Sequence, residues 1–264
     1  MGPWTASLLG MLQGLTEFLP VSSSGHLVAA RALMGVRAPG ASLEAWLHVG
    51  TALAVVVAYR RALCHLVRSC LARGERDGWR AFAALLLGSL PAAVAGLLLR
   101  APLEAAFASP TVAAIGLLAT TVCLASLSFL PAGGGPAGGA ARAPAPAPWR
   151  AVAIGCAQAL ALVPGLSRSG STIAAARWLG LGSEDAAAFS FLLSLPAVLG
   201  AAALEAAVHG ALPVAPVPAL VATAVSALSG LAALTAVRRL LAGGRLGLFA
   251  PYTLALALAL LWRM

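Results

Sequence analysis

Two short polar strings interrupt a chain that is otherwise apolar over lengths matching a membrane. The first runs Gln13-Gly14-Leu15-Thr16-Glu17-Phe18-Leu19-Pro20-Val21-Ser22-Ser23-Ser24-Gly25-His26, and the second Pro164-Gly165-Leu166-Ser167-Arg168-Ser169-Gly170-Ser171-Thr172. Each holds a proline, then hydroxyls and a glycine. Ionisable groups inside hydrocarbon are costly and are kept there for function. The strings therefore constrain both the fold and the chemistry.

The setting follows from composition. Hydrophobic residues make up 61% of the chain and charged residues 9%, against about 25% charged in a soluble domain. The mean hydropathy is +0.94. We read residues 1–264 as one all-α, polytopic helical membrane domain. The net charge of +9 would suit nucleic acid, but the arginines sit at the ends of apolar runs as topology signals do. There is no soluble basic face to bind nucleic acid. The cysteines Cys64, Cys70, Cys123 and Cys156 have no metal-ligand spacing. No cleavable signal peptide is expected, because the N-terminus lacks a charged leader and the first polar string starts at residue 13.

Helices are expected at 4–19, 24–36, 44–59, 81–99, 111–130, 150–163, 170–180, 186–208, 215–237 and 247–263. Residues 131–149, rich in Gly, Pro and Ala, read as a flexible cytoplasmic loop. The segments 4–19, 24–36, 150–163 and 170–180 are too short to cross a bilayer. Each pair flanks a polar string, which predicts two re-entrant helical hairpins with polar tips, at 4–36 and 150–180. Irregular backbone at that depth is tolerated only where it is buried or lines a cavity. Each hairpin is followed by three spans, about six in all. Residues 1–130 and 150–264 then form two repeats, and Gly14 to Pro20 aligns without a gap on Gln158 to Pro164. An odd number of spans makes the second hairpin enter from the opposite side, an inverted-topology repeat. Arg60, Arg61, Arg68, Arg73, Arg76 and Arg80 crowd one connection, Arg142 and Arg150 a second, and Arg238, Arg239 and Arg245 a third. All three fall on one side, which should be cytoplasmic, so both termini should lie outside. Trp46, Trp149 and Trp262 fit interfacial positions.

The chemistry is read from the strings. Gln13 and Glu17 share a helix face at i, i+4. An intramembrane Glu serves as general base, metal ligand or partner of a cation. Ser22, Ser23, Ser24 and Gly25 offer an anion cradle or a helix cap. His26, three residues past Ser23, is in reach of it on the opening turn of a helix. A Ser–His pair supplies a nucleophile with its base, or the imidazole itself attacks phosphorus. Arg168, bracketed by Ser167 and Ser169, suits a bidentate clamp on phosphate. Gly170, Ser171 and Thr172 extend the donor set, with Thr172 a cap for the following helix in the alternative. Glu44 and His48, i, i+4 at a span end, either line the site or sit at the interface. Glu104, His65 and His209 are placed in loops. An anion cradle within the membrane points to a lipid-borne phosphate, and phosphoryl transfer needs a nucleophile, a base and charge stabilisation.

The chain resembles the undecaprenyl pyrophosphate phosphatase family, the integral-membrane bacitracin-resistance type. Gln13 to His26 is similar to the family's Glu/Gln-x-x-x-Glu element running into Pro-Val-Ser-Ser-x-Gly-His. Pro164 to Ser169 is similar to its Pro-Gly-x-Ser-Arg-Ser element, with Thr172 three residues on. The resemblance implies hydrolysis of a C55 polyprenyl diphosphate to the monophosphate and inorganic phosphate. That reaction recycles the lipid carrier for peptidoglycan and other envelope polymers. It also implies a multi-pass protein of the bacterial inner (plasma) membrane with its site open to the periplasmic side. By position in these elements the catalytic residues are Glu17, Ser23, His26 and Arg168. Substrate-binding residues are Gln13, Ser22, Ser24, Gly25, Ser167, Ser169, Gly170 and Thr172. A divalent cation, Mg²⁺ or Ca²⁺, is implied, with Glu17 as its ligand. Position 13 is Gln where many members carry a second Glu, so a two-carboxylate metal site is not expected. Ser23 and His26 both stand as nucleophile, with Ser23 favoured in cooperation with Glu17 and His26. Partners are the polyprenyl diphosphate and membrane lipids, and a homodimer is left open. The other lipid phosphatase class needs a second His after Ser-Arg, and position 174 is Ala. The alternative from a different class is a polyprenyl-phosphate flippase without hydrolysis.

Overall fold

The computed structural model describes residues 2–27, 40–72, 76–130, 142–209, 216–242 and 245–262, with the side chains of 40–45, 205–209 and 242 set aside. All regular structure in these residues is helical. The elements are α1 (Pro3–Phe18), α2 (Gly40–Ala58), α3 (Arg60–Leu71), α4 (Arg76–Leu98), α5 (Arg100–Phe107), α6 (Pro110–Leu127), α7 (Pro148–Leu160), α8 (Arg168–Trp178), α9 (Ser183–His209), α10 (Pro216–Ala242) and α11 (Ala250–Trp262). A 3₁₀ turn, Arg245–Phe249, leads into α11. Residues 23–27 are also helical, and the rest of the helix expected at 24–36 lies outside the described residues.

Four helices (α1, α6, α7 and α10) begin on a proline, where the missing N–H removes a donor that has no partner anyway. Proline also ends α1. Leu19, the residue before Pro20, is extended at φ −64° and ψ 138°, because the proline ring disfavours helical backbone just before it.

Five helices are long and apolar enough to cross a membrane: Arg76–Leu98, Pro110–Leu127, Ser183–Leu204, Pro216–Leu241 and Arg245–Trp262. A sixth arises if α2 and α3, bent by 74° at Tyr59, count as one broken span. The protein is therefore a multi-pass membrane protein in its architecture. Its outward surface agrees: Leu86, Leu90, Val94, Leu97 and Leu98 of α4 and Leu254, Leu258 and Leu261 of α11 all face outward. So continuous an apolar exterior needs lipid around it. By contrast α1, α7 and α8 have 16, 13 and 11 residues. At about 1.5 Å per residue none spans the roughly 30 Å hydrocarbon core.

Three expectations are corrected. The arginine-rich stretch after residue 59 is helix α3, with Ala62, Leu66 and Ser69 buried on one face and Arg60, Arg61 and Arg68 exposed. Its buried residues at i, i+4 and i+7 include one serine and lie among exposed arginines, so no apolar run marks the helix. His65 therefore lies on a helix, and His209 ends α9. Glu104 is not in a loop either: it lies on α5 and pairs with Arg100 at 2.8 Å, an i, i+4 contact that helical geometry alone creates.

The helices meet through small residues. α1 runs along α10, and a Cβ at Gly14 would fall 2.5 Å from the Ser226 carbonyl oxygen and 2.7 Å from the Gly230 nitrogen. α4 meets α7 with Gly88 against Gly155 in the same way. In lipid there is no hydrophobic gain from pairing helices, so close backbone approach and interhelical hydrogen bonds must supply it. Ser226 donates to the Leu47 carbonyl at 2.8 Å and joins α10 to α2. Beneath these contacts sits a buried core of Phe18, Val55, Tyr59, Ile154, Ile173, Phe189, Phe191 and Leu234. Phe18 meets Phe191 edge-on at 5.5 Å, which fixes the end of α1, and hence Glu17, against α9.

Candidate active site

The two polar strings meet. Ser24 Oγ of the first accepts from the Gly165 N–H of the second at 3.4 Å, and Ser169 Oγ donates to the Leu19 carbonyl at 3.3 Å. Each turn is capped alike. Ser22 Oγ accepts from the Gly25 N–H, and Ser167 Oγ accepts from the Gly170 N–H, three residues on in both cases as an N-cap requires. Ser22 has φ 67°, a left-handed backbone that a residue with a Cβ rarely adopts and that clusters at functional sites. Gly165 has φ +86°, and any Cβ there would run into the Ala113 carbonyl. Only glycine lets the second turn lie this close to α6.

Glu17 is the hub. Its Oε2 accepts from Ser23 Oγ at 2.6 Å and from Gln13 Nε2 at 2.9 Å, and its Oε1 accepts from Arg168 Nη2 at 2.9 Å. The side chains of Glu17 and Arg168 are only 5% and 15% exposed, so each charge depends on the other for compensation. Arg168 Nη1 donates to the Ser190 carbonyl at 3.3 Å. Three of the five guanidinium N–H donors remain for an anion. His48 Nδ1 lies 3.0 Å from Gln13 Nε2 and 3.6 Å from Glu17 Oε2, so His48 lines the site. The Glu44 side chain lies outside the described ones.

The His26 ring takes partners other than Ser23. Its Nδ1 donates to the Ser22 carbonyl at 2.8 Å, since a carbonyl oxygen only accepts. Its Nε2 faces the Tyr252 hydroxyl at 2.6 Å, and the two rings stack at 5.7 Å. The expected Ser–His pair is thus replaced by Ser23–Glu17. The left-handed Ser22 turns its carbonyl onto the imidazole and turns Ser23 back towards α1. Thr172 is not a cap. It lies inside α8, donates to the Arg168 carbonyl at 2.7 Å and meets Ser190 Oγ at 2.6 Å.

Every residue expected in the site lies in or against the two joined turns. Three further residues belong there: Thr120, Ser190 and Tyr252. Thr120 Oγ1 accepts from the Ser167 N–H at 2.8 Å and donates to the Gly165 carbonyl at 3.0 Å, clamping the turn that carries Arg168. All three lie on spans outside the two strings, where a lone hydroxyl carries no pattern.

The donor set does not suit a divalent cation held by the protein alone. Among the described residues no group of three His, Cys, Asp or Glu could hold a metal ion. Both oxygens of the Glu17 carboxylate are already engaged. Beside Glu17, Gln13 Oε1 is buried without a partner. Hard cations take six or more oxygens, so these residues do not build a protein cage for one.

With this geometry in hand, the comparisons with known proteins place the chain. Residues 6–259 match the family model "Bacitracin resistance protein BacA". A curated protein of Desulfosudis oleivorans named undecaprenyl-diphosphatase is 38% identical, covering 99% of this chain and 98% of its own. One of the same name from Korarchaeum cryptofilum is 37% identical over 97% of both chains. Another, from Geobacter metallireducens, is 42% identical over 78% of this chain and 76% of its own. The chain belongs to the BacA bacitracin-resistance family of membrane proteins.

Proposed function

We propose that this protein is an undecaprenyl-diphosphatase that hydrolyses a membrane-borne polyprenyl diphosphate to the monophosphate and inorganic phosphate. The single observation that carries the chemistry is the line Ser23–Glu17–Arg168, a hydroxyl on a carboxylate on a guanidinium. The diphosphate lies against the free N–H groups of Arg168 and the opening turn of α8. Ser23 Oγ attacks the terminal phosphorus and Glu17 Oε2 takes its proton. The bridging P–O bond breaks, and its electron pair leaves with the polyprenyl monophosphate. Water then attacks the phosphorus and the Oγ–P bond breaks, releasing inorganic phosphate, while Glu17 returns its proton to Ser23 Oγ. His26, with an Nε2 lone pair at the site, carries the proton of that water. Such a site needs positioning and charge stabilisation more than covalent machinery. The relatives' names support the reaction, and the depth of the site among apolar helices supports a lipid substrate.

The test is phosphate release from a C55 diphosphate by detergent-purified protein beside Ser23→Ala. Release by wild type and loss in the variant is expected. Folded wild-type protein that releases no phosphate, with or without Mg²⁺ or Ca²⁺, would favour the flippase reading.

The cation belongs in this reading to the diphosphate rather than to the protein, and no step is drawn through it. Gln13→Glu would place a second carboxylate beside Glu17. It is expected to lower severalfold the Mg²⁺ or Ca²⁺ concentration giving half-maximal activity. An unchanged metal titration would show that position 13 does not reach the ion.

The two short-helix pairs fold in this reading as re-entrant hairpins of an inverted repeat. The matched caps Ser22–Gly25 and Ser167–Gly170 support it. The arginine-rich connections support cytoplasmic placement in the inner membrane, both termini outside and a site open to the periplasmic side. Cys64 is exposed on α3 and should react with an impermeant maleimide only from the cytoplasmic face. A cysteine at Gly2→Cys should react only from outside. The reverse pattern would invert the topology.

A further inference from the structure

We propose that Tyr252, on α11, is a positioning residue for His26 and the contact through which the C-terminal span takes part in the reaction. This rests on the site reading above and extends it to an element that lies outside both polar strings. The two residues are separated by 226 positions, yet hydroxyl and imidazole meet at hydrogen-bond distance and their rings lie nearly parallel, 12° apart.

The imidazole is held at both nitrogens. With Nδ1–H committed to the Ser22 carbonyl, the neutral ring has its lone pair on Nε2, and the Tyr252 O–H is the donor aimed at it. A ring fixed by one acceptor and one donor has a single tautomer and a single orientation. Without the phenol the imidazole keeps only the Ser22 bond and is free to swing about it. Position 252 is itself well anchored. Its neighbour Thr253 is fully buried and meets Thr121 Oγ1 of α6 at 2.8 Å, so α11 cannot slide without breaking that bond. Tyr252 is 49% exposed, although it lies on a span among lipid-facing leucines. The ring therefore stands at the rim of the site, with one face on His26 and the other open. A phenol is suited to this place, because its ring tolerates hydrocarbon while its hydroxyl finds a partner.

The hydroxyl must leave Nε2 when that nitrogen takes a proton from water, and rotation about the phenolic C–O bond is enough. Tyr252 thus orders the resting site and yields it in turnover without touching phosphorus.

The experiment compares wild type with Tyr252→Phe, which keeps the stacked ring and removes only the hydroxyl, and includes His26→Ala. Turnover of a C55 diphosphate and the ¹⁵N signals of the His26 imidazole, in ligand-free protein in detergent, are both read. We expect Tyr252→Phe to lower kcat about tenfold, the order of one hydrogen bond, with KM changed less than twofold. The Nε2 signal should move towards that of a free acceptor nitrogen while Nδ1 stays protonated. Wild-type kcat in Tyr252→Phe would overturn the proposal, and so would reduced kcat with unmoved imidazole signals. Full activity in His26→Ala would instead strike the site reading. The nitrogen signals would still report whether Tyr252 holds the ring.

Discussion

Arg168→Lys is expected to lower kcat/KM by about a hundredfold to a thousandfold, the range seen when one preorganised charge-stabilising donor is removed. Two guanidinium nitrogens hold two separate acceptors, Glu17 Oε1 and the Ser190 carbonyl. Three of the five N–H groups are left over for substrate. A lysine ammonium is a single point with a shorter reach sideways. It can keep the ion pair or reach towards substrate, but not both in one geometry. Because the positive charge is retained, the protein should stay folded. Phosphate release with a melting curve in detergent checks both halves. Near wild-type turnover would refute the clamp, and an unfolded variant would show that the Ser190 link is structural.

Glu17→Gln is expected to cost about 10³-fold in kcat, within the range for removing a general base. The amide keeps the shape of the carboxyl and can still accept from Arg168 or Ser23, but it cannot take the Ser23 proton. It also leaves Arg168, 15% exposed, without a counter-charge. Some loss of thermal stability should therefore accompany the loss of rate, since breaking a buried pair on one side strands the other charge. Bound anion would replace the missing charge, so added inorganic phosphate should raise the melting temperature more in Glu17→Gln than in wild type. If the variant retains more than a tenth of wild-type turnover, Glu17 is not the base for Ser23. His26, the other candidate base, would then have to reach Ser23 in the substrate complex.

The apolar spans were legible because hydrocarbon admits few alternatives: a chain this greasy must satisfy its backbone within helices. The short helices α1, α7 and α8 were legible for the same reason, since their length rules out crossing. Helix α3 was missed because its buried face of Ala62, Leu66 and Ser69 is outweighed by the exposed Arg60, Arg61 and Arg68, and hydropathy averages the two faces together. Helix α5 was missed because it has no buried residues, hence no apolar stripe to read.

For the candidate site, the polar residues of the two strings could be picked out, and their hydrogen-bond partners could not. Glu17, Ser23, His26 and Arg168 stand out as polar groups where polarity is costly. Pairing Ser23 with His26 followed from their spacing of three on a helix. It failed because Ser22 adopts a left-handed backbone that turns Ser23 onto Glu17 instead. Thr120, Ser190 and Tyr252 give no signal, because one hydroxyl in a span can satisfy itself on its own helix, as Thr235 does on Leu231.

The sequence by itself determined the membrane class, the two broken segments and the set of groups able to handle a phosphate. Each is a local consequence of the cost of polarity in lipid. Only the tertiary structure decided which partner each group takes. Glu17 lies between a serine 6 residues away and an arginine 151 residues away, and His26 lies against a tyrosine near the far end of the chain. Such contacts are set by how α1, α8 and α11 pack, through backbone approach at small residues, and no pattern within a single helix encodes them.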